Sequence, residues 1–128
     1  MDIAQFRERF SQVNVLYVED DDSLRKMSLE FFKEIFQNID TACDGEEGLK
    51  RFKEKEYGLV LSDLNMPKMD GFEMLKQIHE LNEKTVLVIM SGDDEEIDKK
   101  SSIHDAFLLK PVRFAEMIQT FESLQDKL

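Results

Sequence analysis

Short continuous apolar runs, each stopping on a residue that carries chemistry, constrain this chain more than any other feature. Val13 to Val18 stops at Glu19 and Asp20, Leu59 to Leu61 at Ser62 and Asp63, Thr85 to Met90 at Ser91, and Ala106 to Leu109 at Lys110. Runs this short, bounded by turn formers such as Gly58, Pro67, Gly92 and Pro111, predict strands buried on both faces rather than helices. Asn38 to Cys43 adds a shorter strand after the first.

Between the runs the apolar spacing is helical. Ser23 to Phe36 places Leu24, Met27, Phe31 and Ile35 on one face, with Asp22 or Ser23 able to cap the free amides. Asp44-Gly45-Glu46-Glu47 opens a helix with Leu49 and Phe52 inward, acidic in its first turn as the helix dipole favours. Asp70-Gly71 leads into a helix with Phe72, Leu75, Ile78 and Leu81 inward, and Arg113 to Lys127 carries Phe114, Met117, Ile118, Phe121 and Leu124. Glu95 to Asp105 offers only Ile97 and Ile103 as anchors, so a helix there is expected to be short and weakly held. Strands alternating with helices predict an α/β fold: a five-stranded parallel sheet with helices on both faces, doubly wound in the flavodoxin-like manner. Ile3, Phe6 and Phe10 give residues 1–12 the pattern of a short helical extension that docks on the domain of residues 13–128.

A formal charge of −11 and a pI near 4.6, with no basic stripe, disfavour direct nucleic-acid binding. The single Cys43 makes no internal disulfide, and neither a membrane-length apolar segment nor a signal pattern is present, which predicts a cytoplasmic protein with no membrane association.

If the sheet is parallel, Glu19, Asp20, Asp63, Ser91 and Lys110 share its carboxyl edge, where ligands bind in open α/β sheets. Carboxylates gathered there repel one another, and a hard dication such as Mg2+, taking oxygen ligands and keeping waters, relieves that repulsion. A carboxylate beside a dication, a lysine and a hydroxyl is a workable phosphoryl acceptor, because phosphoryl transfer depends mainly on positioning and on charge at the equatorial oxygens. Asp63 would attack, with Lys110 and Ser91 on phosphoryl oxygens.

At this point the chain resembles a response-regulator receiver domain of two-component signalling, in its chemotaxis-type (CheY-like) single-domain form. The resemblance rests on Val15-Leu16-Tyr17-Val18-Glu19-Asp20-Asp21, on Leu61-Ser62-Asp63-Leu64-Asn65-Met66-Pro67-Lys68-Met69-Asp70-Gly71, on Met90-Ser91-Gly92 and on Leu108-Leu109-Lys110-Pro111. It implies that Asp63 accepts a phosphoryl group from a histidine kinase or phosphotransfer protein. It also implies that Mg2+ is held by Asp20, Asp63 and the backbone carbonyl of Asn65, with Glu19 acting through water. Ser91 and Phe107 are implied as switch residues, remodelling the surface of the helix between the fourth and fifth strands, the fifth strand and the last helix. Lys110-Pro111 is expected to be cis. Such a domain catalyses only its own phosphorylation and dephosphorylation, with Asn65 and Asp93 tuning the attacking water, and is expected as a monomer or a phosphorylation-dependent dimer feeding a downstream target or output domain.

The chain departs from that family in a few places. Fewer residues than usual separate Ser91 from Phe107, so the fourth core helix is expected to be shortened; Asp105 stands where Gly is common, and Phe107 where Tyr is frequent. A haloacid-dehalogenase-type phosphatase also uses a strand-end Asp, a metal and a lysine, but would need an acid where Asn65 stands and a covering cap. A receiver that only docks partners has no support at the site, since every expected group is present. His79 and His104 are expected at the surface, and Cys43 as a small buried residue.

Overall fold

In the computed structural model, residues 2–92 and 104–128 are described. Helix α1 (Ile3–Arg9) precedes β1 (Asn14–Val18), α2 (Asp22–Phe32), β2 (Asn38–Ala42), α3 (Gly45–Phe52), β3 (Leu59–Asp63), α4 (Gly71–Leu81), β4 (Val86–Ser91), β5 (Ala106–Leu109) and α5 (Phe114–Leu124), with a closing 3-10 turn at Gln125–Lys127. The five strands form one sheet in the order β2-β1-β3-β4-β5, every neighbouring pair parallel.

Alternation along the strands divides the apolar residues between two cores. Val15, Tyr17, Leu59, Leu61, Val88 and Met90 face α1, α2 and α5, while Leu16, Val18, Val60, Leu87 and Ile89 face α3 and α4. The first core is aromatic: Phe6, Phe10, Phe36 and Phe121 interlock at ring-centroid distances of 4.4 to 6.3 Å, and Tyr17 packs edge-on against Phe32. Such pairs add about 0.5–1.5 kcal/mol each beyond burial. Phe6 and Phe10 are fully buried, so α1 docks by its apolar stripe, and Arg9 Nη2 donates to the Gln125 carbonyl at 2.8 Å.

Several helical details differ from expectation. Helix α2 ends at Phe32, and Ile35 and Phe36 reach the core from the turn that follows. Asp21 caps it, its side chain accepting from Leu24 N, rather than Asp22 or Ser23. Met27 is 70% exposed, because the inward stripe of α2 centres between Ser28 and Phe32, about 120° around from Met27. Leu81 and Phe114 are likewise exposed at the ends of their helices. Cys43 is half-buried, its thiol donating to Glu47 Oε2 at 3.1 Å, a bond that with burial raises its pKa. His104 is half-buried rather than at the surface: its Nδ1 is buried and has no hydrogen-bond partner among the described residues. Asp93 and nearly all of the expected shortened helix, up to residue 103, lie outside the described residues.

Candidate functional site

Strands β1, β3, β4 and β5 each deliver a side chain to the carboxyl edge by a local device. Glu19 follows β1 and keeps one more sheet bond, Glu19 N to the Ala42 carbonyl at 3.1 Å. Asp63 is the last residue of β3, its own Oδ1 accepting from Leu64 N at 2.8 Å, which starts the turn toward Pro67. Gly71 closes that turn: a Cβ there would lie 2.4 Å from the Asp63 carbonyl oxygen, so only glycine lets α4 pack against the strand end. Ser91 ends β4 and is buried, and its carbonyl accepts from Lys110 N at 2.8 Å, which anchors the lysine beside it. Lys110-Pro111 is cis.

The Lys110 ammonium bridges two carboxylates, 3.1 Å from Glu19 Oε1 and 3.2 Å from Asp63 Oδ1. Glu19 is 1% exposed, and burial together with the charge of Asp63 pushes its pKa up to about 7 even though Lys110 pulls it down. Burial alone would lower the Lys110 pKa; Asp63 and Glu19 outweigh it, and the net shift is upward. Asp20 is exposed, and one oxygen from each of Glu19, Asp20 and Asp63 fits within 4.8 Å of the others.

This donor set fits a magnesium ion. Three carboxylates with converging oxygens, one of them buried and strained in its ionised form, supply the hard oxygen ligands and unbalanced negative charge that Mg2+ requires.

Of the residues singled out in the sequence, Glu19, Asp20, Asp63 and Lys110 meet in one cluster, and Ser91 ends the neighbouring strand beside Lys110. Asn65 lies in the exposed turn two residues after Asp63. Phe107 is set back from the cluster: it pairs with Ile89, two residues below Ser91 on the same sheet face, and is partly buried against the α3/α4 core. One residue escaped the sequence reading. Arg25 Nη1 donates to the Glu19 carbonyl at 2.9 Å and Nη2 to Asp22 Oδ1 at 2.5 Å, with the side chain only 16% exposed. Its signal was there to find, since a cation near a helix N-terminus opposes the dipole and calls for a specific partner.

A doubly wound parallel sheet with a carboxylate cluster and a lysine at its switch edge places these groups where open α/β sheets bind ligands. Comparison narrows the class: residues 15–122 match the family model for the response regulator receiver domain, and the chain belongs to that family. Receiver domains are signalling domains of two-component systems rather than classical enzymes. Among curated relatives, VanRB, a regulatory protein of Enterococcus faecalis, is 29% identical over 88% of this chain and 52% of its own length. YcbL, an uncharacterized transcriptional regulatory protein of Bacillus subtilis, is 35% identical over 80% of this chain and 46% of its own length. The chain thus spans about half the length of these relatives. Among solved structures, the response regulator TrrA of Thermotoga maritima in complex with Mg2+-BeF is 28% identical, with a TM-score of 0.79 over 88% of this chain and 99% of its own. The CheX-CheY-BeF3-Mg2+ complex of Borrelia burgdorferi gives 31%, a TM-score of 0.77, and 92% and 97% coverage. No helix among the described residues is long and apolar enough to cross a membrane.

Proposed function

We propose that Asp63 is the phosphoacceptor of this receiver domain, taking its phosphoryl group from a phosphohistidine on a histidine kinase or phosphotransfer protein. A carboxylate oxygen of Asp63 attacks phosphorus, the P–N bond breaks, and its electron pair leaves with the donor imidazole, which holds or gains a proton. The observation that carries this reading is the Lys110 ammonium within 3.2 Å of Asp63, at an edge where Glu19 and Asp20 crowd in as well. Lys110 is placed to meet a phosphoryl oxygen as charge shifts toward it, and Ser91 to donate to another. Asp20 and Asp63, with the Asn65 carbonyl, would hold Mg2+, and Glu19 would hold a water on it. Bound there, Mg2+ supplies positive charge against the crowded oxygens. The similar TrrA and CheY structures, which carry Mg2+ with a beryllofluoride, support Mg2+ as the cation of this domain.

Ser91 and Phe107 lie on one sheet face, and we take them as the pair that passes phosphorylation to the surface around β5 and α5. The downstream partner is a separate protein or an output domain, and the domain acts as a monomer or a phosphorylation-dependent dimer in the cytoplasm. Its chemistry is confined to its own phosphorylation and hydrolysis. Acetyl phosphate with Mg2+ tests this: the intact mass gains one phosphoryl group, and the gain disappears with EDTA or in Asp63→Asn. An unchanged mass, or an Asp63→Asn protein that is still phosphorylated, would overturn the assignment.

A further inference from the structure

We infer that Arg25 is a positioning residue for the cation site, setting the peptide plane from which the Asp20 carboxylate projects. The inference rests on the reading of Glu19, Asp20 and Asp63 as an Mg2+ site. The carbonyl of Glu19 and the amide nitrogen of Asp20 belong to one rigid peptide unit, so a bond to that carbonyl orients the start of Asp20. Arg25 Nη1 makes that bond at 2.9 Å, while Nη2 is fixed on Asp22 at 2.5 Å, giving the guanidinium two anchors in one turn.

The rest of the turn is tied as well. Asp21 N donates to Glu19 Oε2 at 3.3 Å, and Asp21 Oδ1 accepts from Leu24 N at 2.8 Å. Asp20 is the residue of this turn whose carboxylate joins the three-residue cluster and makes no hydrogen bond or ion pair among the described residues. Arg25 stands where the helix dipole disfavours a cation, so its hold on the Glu19 carbonyl works against a cost rather than with a local preference.

Two roles for this cation predict opposite signs. As a simple counter-charge, Arg25 would compete with a dication, and removing it would tighten Mg2+ binding. As a positioning residue, its removal frees the peptide plane and weakens binding, by about tenfold at the low end of what outer-shell partners of a metal site contribute.

The test is calorimetric Mg2+ titration of the whole chain, wild type against Arg25→Gln and Arg25→Lys, with native amide spectra as the folding control. Both variants are expected to bind Mg2+ about tenfold more weakly. Lysine keeps the charge but cannot span both acceptors. At saturating Mg2+ the rate of phosphorylation by acetyl phosphate should return to the wild-type value, placing the defect in cation affinity alone. Arg25→Gln binding Mg2+ as tightly as wild type or more so would overturn the inference, as would full recovery in Arg25→Lys; if Arg25→Gln does not fold, Arg25→Lys decides. Wild type binding no Mg2+ would instead overturn the site reading beneath it.

Discussion

Lys110 Nζ lies 3.2 Å from Asp63 Oδ1, and the same ammonium is the cation that makes the burial of Glu19 tolerable. The pair therefore serves both chemistry and fold. Replacing Lys110 with Met should leave Glu19 buried without its partner and drive its pKa above the present value of about 7. The metal-free variant should lose about 1–3 kcal/mol at pH 8, less than for a fully buried pair because the lysine is 27% exposed. At pH 6, where Glu19 takes up a proton, the loss should shrink. Urea unfolding at the two pH values checks this; an equal loss at both would contradict it.

Glu19 also sets a pH dependence of the metal-free protein. Its folded pKa is raised, so its contribution to stability is fully present below about 4.5 and is lost as pH rises through about 7. Wild type in EDTA should therefore lose stability over that window relative to Glu19→Gln, at no more than about 1.4 kcal/mol per pH unit, the slope of one proton. Asp22, Asp40, Asp44 and Glu47, whose pKa values are lowered, act below that window, with stability lost as pH falls through their folded values. Parallel stability curves for the two proteins from pH 5 to 7 would refute the assignment.

The N-terminal helix is held chiefly by two fully buried aromatics. Phe6→Ala should cost about 2–4 kcal/mol, near the range for truncating a buried Phe, because the contacts with Phe10, Phe36 and Phe121 go together. Amides of α1 should then exchange far faster than those of β1. Unchanged protection in α1 would mean that its backbone bonds, and not Phe6, hold it.

Lys68 follows Pro67 with φ of 67°, a left-handed conformation costly for a residue with a Cβ. Lys68→Gly should stabilise by up to about 1 kcal/mol, the relief of the left-handed penalty less the entropy glycine loses on folding. The ion pairs that are given up, with Asp44 at 3.5 Å and Glu46 at 3.9 Å, involve a lysine that is 60% exposed, so they offset little. Thermal unfolding of the two proteins measures the difference; a destabilised variant would show that Lys68 is anchored by more than its backbone.

The strands and their chemical ends were legible because a short apolar run has few structural readings and because parallel strands align their carboxyl ends. Helix faces were less so. A 100° spacing reveals that Leu24, Met27 and Phe31 share a stripe, but the seating of α2 depends on Ser28 beside the Tyr17 hydroxyl and on the reach of Arg25 to the Glu19 carbonyl; a place near the helix start says that Arg25 needs a partner, not which one it finds. Asp105 shows the same limit. It stands out in the sequence only as a departure from glycine, while its carboxylate accepts from Leu87 N at 2.9 Å and from Lys127 Nζ at 2.8 Å, tying β5 to β4 and to the end of the chain. Residues far apart in sequence supply both partners.

The central claim is that the phosphoryl group resides on Asp63, and its location can be read chemically. An acyl phosphate is reduced by borohydride to an alcohol, so wild type treated with acetyl phosphate and Mg2+, then borohydride, should carry homoserine at position 63 and nowhere else on peptide sequencing by mass. Homoserine at Asp20 or another aspartate, or the one-carbon-longer alcohol at Glu19 or another glutamate, with Asp63 unmodified, would contradict the account.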